Sequence, residues 1–263
     1  QEPDLSVEID DLSLKSPVMP ACGTFDVSGD GPFDPNLIGA FIPKSVSING
    51  HSKEQASSSF EAEGSMLNAA TFQSDGIDYF EAHVLPAYDA YQPPLIANIS
   101  GESVDEFAQT IERLNEQDKV AAFEVNLSCP DFDNNRQTFG LLSETTYNII
   151  RKIRSVTDKP LIAKLSPNVS RIQEVTLAAE QGGANAFTVA NAYSAMSIDI
   201  ETRKPKLDNV IGSLSGAAIK PLIMRLIFQT HQITHLPIIG SGGVMSGSDA
   251  IEMILAGATA VQI

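Results

Sequence analysis

Eight short apolar runs, most of them followed by an amphipathic stretch, set the strongest limit on what this chain can fold into. The runs are PVMPAC (17–22), AFIPKSV (40–46), PLIANIS (94–100), AFEVNLS (122–128), PLIAKLS (160–166), AFTVAN (186–191), PIIGSG (237–242) and AVQI (260–263). Strands that alternate with helices must run parallel, because a parallel return needs a crossover. The runs are nearly continuous in apolar residues, as expected of strands covered on both faces. Eight such strands in 263 residues fit a closed (β/α)₈ barrel better than an open sheet. No G-x-G-x-x-G follows the first run, which weighs against a dinucleotide-binding open sheet.

The stretches between the runs carry helix punctuation. In 103–117, Ser103 stands as N-cap with Glu106 three residues on, a capping box. In 143–157, Tyr147, Ile150 and Ile153 or Arg154 fall on neighbouring faces at helical spacing, and 169–183 ends on the stop pair Gly182-Gly183. Helices are also expected over 220–234 and 247–257. Ahead of the first strand, SVEID and LSLKS alternate about Asp10-Asp11, predicting a β-hairpin that plugs the barrel floor. The last run ends at Ile263, so the final barrel helix is expected to be absent from the chain as given. The opening Gln1, with no initiator methionine, reads as a processed or trimmed start. No linker interrupts the composition, and residues 1–263 read as a single domain. The stretch 49–74 shows little periodicity and reads as a long functional lid or binding loop.

Charge narrows the partners. With 17 Lys+Arg against 33 Asp+Glu the net charge is −16, which argues against nucleic acid and against a polybasic membrane anchor. No apolar run reaches the roughly 18 residues of a membrane span. The two cysteines, Cys22 and Cys129, suit a reducing compartment, so a cytoplasmic protein is expected.

Chemistry in a parallel barrel sits at the C-terminal strand ends. Those ends here carry Cys22, Lys44, Asn98, Asn126, Lys164 and Asn191. Asn and Lys are seldom buried unless paired, so their convergence suits a planar heterocycle with several carbonyl and N–H groups, and an anion. Gly242-Gly243 before a helix start can turn backbone N–H groups onto a phosphate, although a glycine pair often only makes a turn. Cys129 is the strand-end residue with proton-transfer chemistry, since a free thiol has pKa about 8.5. A buried structural cysteine is the plainer alternative for it, and is the reading taken for Cys22 on these grounds. Lys164 also admits a Schiff-base aldolase. No metal site is expected.

FEVNLSCP (123–130), LIAKLSPNV (161–169), SIDIETRKPKL (197–207), GSLSGAAIKP (212–221) and the terminal 237–263 together resemble the class 1 dihydroorotate dehydrogenases, and IDIETRKP and KLSPN most resemble class 1B catalytic subunits. PVMPACGTF (17–25), GSMLNA (64–69) and PLIANISG (94–101) fit the same resemblance. It implies an FMN-binding (β/α)₈ barrel that oxidises dihydroorotate to orotate in pyrimidine synthesis. It implies Cys129 as the base that takes the C5 proton. It assigns FMN contacts to Cys22, Lys44, Asn98, Asn126, Lys164, Ala190, Gly216, Gly242 and Gly243. It assigns substrate contacts to Lys44, Asn68, Ala69, Ala70, Thr71, Phe72, Asn126, Asn191 and Ala192. It also implies a homodimer, or a heterotetramer with an electron-transfer subunit that carries FAD and an iron–sulfur cluster, because two cysteines cannot hold a four-thiolate cluster. The chain departs from the family where NAATFQS (68–74) replaces NAIGLQN, where Ala192 replaces Thr, and where Cys22 replaces Ser. With Ser74 shorter than Asn and Phe72 bulkier than Leu, weaker orotate binding is expected; a barrel drifted out of catalysis is the further alternative.

Overall fold

The computed structural model describes residues 3–27, 33–50, 59–69, 74–131, 133 and 137–263. Seven parallel strands lie in the order Val18–Met19, Ala260–Gln262, Ile238–Ser241, Ala186–Val189, Leu161–Lys164, Val120–Asn126 and Leu95–Ile99. Residues 40–46 close the ring. On one side Phe41 N donates to Pro94 O (2.9 Å) and Val46 N to Asn98 O (2.9 Å). On the other, Gly39 N donates to Val18 O (2.7 Å) and Gly23 N to Ile42 O (3.0 Å). Pro43 lies in the middle of this segment and has no N–H to give, so the ladder breaks into isolated bridges at Phe41 and Val46.

Side chains alternate across each strand, so residues two apart share a face. The outward set, including Leu95, Phe123, Val125, Leu161, Phe187 and Val261, packs in one core cluster with helix residues such as Phe107, Ile150, Val175 and Ile227. The inward set Ile96, Ala122, Ile162, Ala186, Ile239 and Ala260 forms a second cluster with Ile9, Leu12 and Leu14. Those last three belong to the hairpin Val7–Ile9/Leu12–Leu14, which therefore plugs the barrel. Its turn sets Asp10 at φ 53°, a left-handed conformation that Asp tolerates. Two residues beyond each inward apolar residue the strands place Asn98, Glu124, Lys164, Thr188, Ser241 and Gln262, all buried. The barrel interior is thus an apolar floor beneath a polar layer, and that layer is the base of the site.

Helices Val104–Asn115, Ser143–Arg154, Ile172–Gly182, Lys220–His231 and Gly247–Ala256 fall within the stretches expected of them. Ser103 Oγ accepts from Glu106 N (3.2 Å), while Glu106 Oε2 reaches Glu102 N (2.8 Å), one residue beyond the usual partner of a capping box. Gly183 caps its helix at φ 114°.

Two connections differ from expectation. The crossover between the second and third strands is a helical stretch of changing pitch, Ile77–Tyr79, Phe80–Val84 and Leu85–Tyr88. Its wide middle turn and Pro86 blur the 3.6-residue period that would have revealed it. The stretch 49–74 is not all loop. Ser59–Ala62 and Ser65–Asn68 form a hairpin that joins Gly212–Ser215 and Tyr193–Ala195 in a four-stranded antiparallel sheet. Both halves of this sheet leave the barrel at C-terminal strand ends, so it rises on the face that carries the polar layer. Leu67, Ala69 and Leu207 give it a small core of its own.

Candidate active site

The polar layer is organised by Glu124, a residue the sequence reading passed over. Its carboxylate is wholly buried. Oε1 accepts from Asn98 Nδ2 (2.7 Å) and Lys164 Nζ (3.4 Å); Oε2 accepts from Thr188 Oγ1 (2.7 Å) and Gln262 Nε2 (2.6 Å). One side chain therefore ties together strands that lie far apart in the ring. Burial alone would raise this carboxyl, but the Lys164 charge and the three neutral donors outweigh it and hold it below the usual carboxylate range. Lys164 also donates to Gln262 Oε1 at 3.3 Å. Both its contacts are long, and an ammonium has three donors, so it keeps hydrogen-bonding capacity toward the open side of the layer.

Around this hub most of the expected residues gather. Asn98 Oδ1 accepts from Ser45 Oγ (2.6 Å), and Ser45 lies 3.4 Å from Cys22 Sγ, which also donates to Pro43 O (3.3 Å). Burial pushes the Cys22 thiol up, and the Lys164 charge offsets part of that. Asn191 Nδ2 donates to Asn126 Oδ1 (3.1 Å), which also accepts from Ser128 N, and Asn191 Oδ1 accepts from Ala192 N (2.8 Å). Ala190 is buried beside them, with its N–H on Ser241 O (3.2 Å). Lys44 is exposed at the rim, and Gly23 packs so closely on it that a Cβ there would meet Lys44 Cγ at 2.9 Å. A cavity of about 530 Å³ opens beside Lys44 and Ser45, walled on its far side by Tyr79, His83 and Tyr88. It meets the polar layer at Ser45 rather than lying over Glu124.

Cys129, Gly216 and Ser74 have packing surroundings that the sequence alone did not indicate. Cys129 has no exposed surface and belongs to the apolar core between strands and helices. Burial pushes its thiol up, against an opposing contribution from the Gly101 backbone. The chain after it folds back, with Phe139 N on Cys129 O (3.1 Å) and Gly140 N on Leu127 O (2.7 Å). Gly216, at φ 104°, is required by packing: a Cβ would stand 2.9 Å from Ser65 Cα in the hairpin above. Ser74 is buried, and its Oγ accepts from Ser47 N (3.1 Å) and Gly76 N (3.2 Å). It ties the backbone of Ser47 to that of Gly76. Asn68 ends the hairpin strand Ser65–Asn68 and Ala69 follows it; Ala70, Thr71 and Phe72 lie outside the described residues.

The donors present fit an anionic, heterocyclic cofactor. Among the described residues neither Gly243 N nor Val244 N finds a protein acceptor, and both lie past the end of Ile238–Ser241. Gly243 is held at φ 79° with Lys220 N only 2.7 Å from where a Cβ would stand, so the backbone there stays bare. Bare N–H groups at a strand-to-helix turn suit a phosphate. The helix start just beyond is already capped, since Asp249 Oδ2 accepts from Met245 N (3.0 Å) and Ser246 Oγ (2.8 Å). The buried ammonium of Lys164 and the amides of Asn126 and Asn191 supply charge and donors for a ring system.

Glu124, Thr188 and Gln262 were missed because they precede or lie apart from the strand ends that drew notice. A signal existed: each stands two residues after an apolar residue that proves inward, so the period of two would have shown them once one inward residue was known.

A sequence model described as dihydroorotate dehydrogenase matches residues 4–263. The dihydroorotate dehydrogenase B (NAD(+)), catalytic subunit, of Geobacter metallireducens is 41% identical over 265 residues, covering 100% of this chain and 87% of that protein. The subunit of the same description from Bacteroides fragilis is 38% identical over 262 residues, covering 99% and 86%. Among solved structures, DHODH in complex with ferulenol from Eimeria tenella superposes with a TM-score of 0.76 at 21% identity, covering 100% of this chain and 79% of that one, a likeness of fold.

Proposed function

The chain belongs to the dihydroorotate dehydrogenase family, and from that premise we propose that it oxidises (S)-dihydroorotate to orotate with FMN, as the catalytic subunit of an NAD-linked enzyme of pyrimidine synthesis. The observation that carries the reading is the buried Glu124–Lys164 pair in a polar layer at the C-terminal end of a parallel barrel. FMN, when bound, supplies the two-electron acceptor for hydride from C6. Lys164 would supply a fixed positive charge beside the bound cofactor. Gly243 and Val244 hold the phosphate through their N–H groups. Asn126 and Asn191 are joined by a hydrogen bond, and Asn98 is held by Ser45 and Glu124, before any ligand arrives, so little ordering accompanies binding. Lys44 meets the substrate carboxylate at the rim.

Cys129 Sγ receives the C5 proton. A base must come within hydrogen-bond reach of the proton it takes, and a wholly buried thiol does not. Proton transfer to Cys129 therefore requires that its thiol become accessible when substrate binds. The Schiff-base alternative is less supported, since Lys164 is engaged with Glu124 and Gln262 rather than presented as a free amine.

The relatives are described as catalytic subunits, which supports a partner subunit that passes electrons onward through FAD and an iron–sulfur cluster. Residues 1–263 act as one FMN-binding domain in the cytoplasm; among the described residues no helix is long and apolar enough to cross a membrane. The test is direct. Purified protein should be yellow, the released cofactor should have the mass of FMN, and anaerobic dihydroorotate should bleach it. A colourless protein that does not take up FMN, or a yellow one that dihydroorotate leaves unbleached, would overturn the proposal.

A further inference from the structure

Beside the hairpin that carries Asn68 and Ala69 stands a tight turn, residues 207–212, whose features all bear on those two residues. Leu207 is buried against Leu67 and Ala69. Val210 N donates to Leu207 O (3.0 Å) and Ile211 N to Asn209 O (2.6 Å), so the chain reverses twice within five residues. The reversal sets Val210 at φ 65°. A β-branched residue is strongly disfavoured there, and Val210 is exposed, so its own packing does not impose this. Gly212 comes so near the hairpin that a Cβ would stand 2.4 Å from Leu207 Cδ1 and 2.6 Å from Asn68 O. It thereby begins the strand in which Ser213 pairs with Asn68. Between these points Asn209 turns its amide across and donates Nδ2–H to Ala69 O (3.0 Å).

Backbone strain of this kind persists where the surroundings over-determine it, and it clusters at ligand-holding sites. Here what over-determines it is the fit of the turn around Asn68 and Ala69. We propose that Asn209 is a positioning residue for substrate: through the Ala69 carbonyl it fixes the end of the hairpin strand, and with it the direction in which Asn68 presents its amide. The inference rests on the reading that Asn68 and Ala69 meet dihydroorotate. It adds a residue 140 positions away in sequence that touches neither substrate nor cofactor. The strain at Val210 is the consequence of holding Asn209 in reach.

A merely structural role and a positioning role differ in what they move. The hydrogen bond is partly exposed, so its loss should leave the barrel folded, with FMN content and kcat within about twofold of the parent. The grip on substrate should loosen by about threefold to tenfold, the effect of one neutral hydrogen bond. The experiment uses the FMN-loaded protein. Orotate binding is followed by calorimetric titration and dihydroorotate oxidation by steady-state kinetics, for the parent, Asn209→Ala and Asn209→Asp. Asn209→Asp keeps the shape, loses the donor and sets an anion against a carbonyl, so it should weaken orotate at least as much as Asn209→Ala, with KM rising in step. Parent-like orotate affinity in both variants overturns the inference while the functional reading stands. A loss of FMN content or kcat with unchanged KM overturns it in favour of a structural role. A parent that neither binds orotate nor oxidises dihydroorotate overturns the functional reading, and the inference with it.

Discussion

Glu124 should be the most expensive residue in the barrel interior to replace. Its carboxylate has no exposed surface and takes hydrogen bonds from Asn98, Lys164, Thr188 and Gln262. Glu124→Leu fills similar space but leaves the ammonium and three neutral donors without an acceptor. Removing one partner of a buried ion pair costs about 3–5 kcal/mol, much of it from the charge left behind. Each neutral donor left buried and unmade adds about 1–3 kcal/mol before relaxation, though contributions within one network do not sum. A loss of at least about 4 kcal/mol is expected, a large share of the 5–15 kcal/mol typical of a folded domain. With a urea slope of about 3 kcal/mol per molar, the midpoint should fall by more than about 1 M. Glu124→Leu combined with Lys164→Met removes both charges, and should recover part of the loss, because a buried pair exchanged for apolar groups is often neutral. The acid limb gives a second check. A carboxyl held below its ordinary value contributes stability that is present above the unfolded pKa of about 4.3 and is lost as pH falls through the folded value. Glu124→Leu should lack that part of the acid-induced loss. A single variant within about 1 kcal/mol of the parent, or a double variant no better than the single, would show that Glu124 does not organise the layer.

Three further outcomes are expected. Cys129→Ala should cut dihydroorotate oxidation by about a hundred- to ten-thousand-fold while FMN stays bound, and the parent rate should rise with pH because burial holds the thiol protonated; rapid flavin-reduction kinetics across pH check both. Ser74→Asn should lower the melting temperature without tightening orotate, since the hydroxyl holds Ser47 N and Gly76 N at about 0.5–1.5 kcal/mol each; thermal melts and the orotate titration decide it. The Tyr88 phenol is pushed up to about 12, chiefly by burial and secondarily by Asp26, so its neutral form contributes stability that is complete below the unfolded value near 10 and lost as pH rises through about 12; Tyr88→Phe should unfold at higher pH in an alkaline titration.

Much of the site was legible because strand ends are legible. Asn98, Asn126 and Lys164 close apolar runs, and the fold places chemistry where such runs close. Their convergence then followed from the fold class without any distance being known. Glu124 was not legible in the same way. It sits in the middle of AFEVN, where the sequence does not say which face is inward until one residue of the strand is fixed by contact. The helical stretch 77–88 was hidden by its uneven pitch, and the strands at 59–68 by the polar residues of a hairpin with only one sparsely covered face.

What the sequence determines by itself is periodicity and punctuation: where the strands and helices run, that the strands are parallel, that a hairpin precedes them, and which side chains stand at the chemical end. These are local properties, set by backbone sterics and by residues within a few positions of each other. What only the tertiary structure decides is environment. Gln262 reaches Glu124 across 138 positions, and Asn209 reaches Ala69 across 140. Ser74 becomes a backbone tie because Ser47 lies beside it. Cys129 has the right place in the sequence for a base, and becomes a buried, protonated thiol because the chain folds back over it. Protonation and hydrogen-bond capacity depend on solvent and partners, and both are fixed only when distant segments meet.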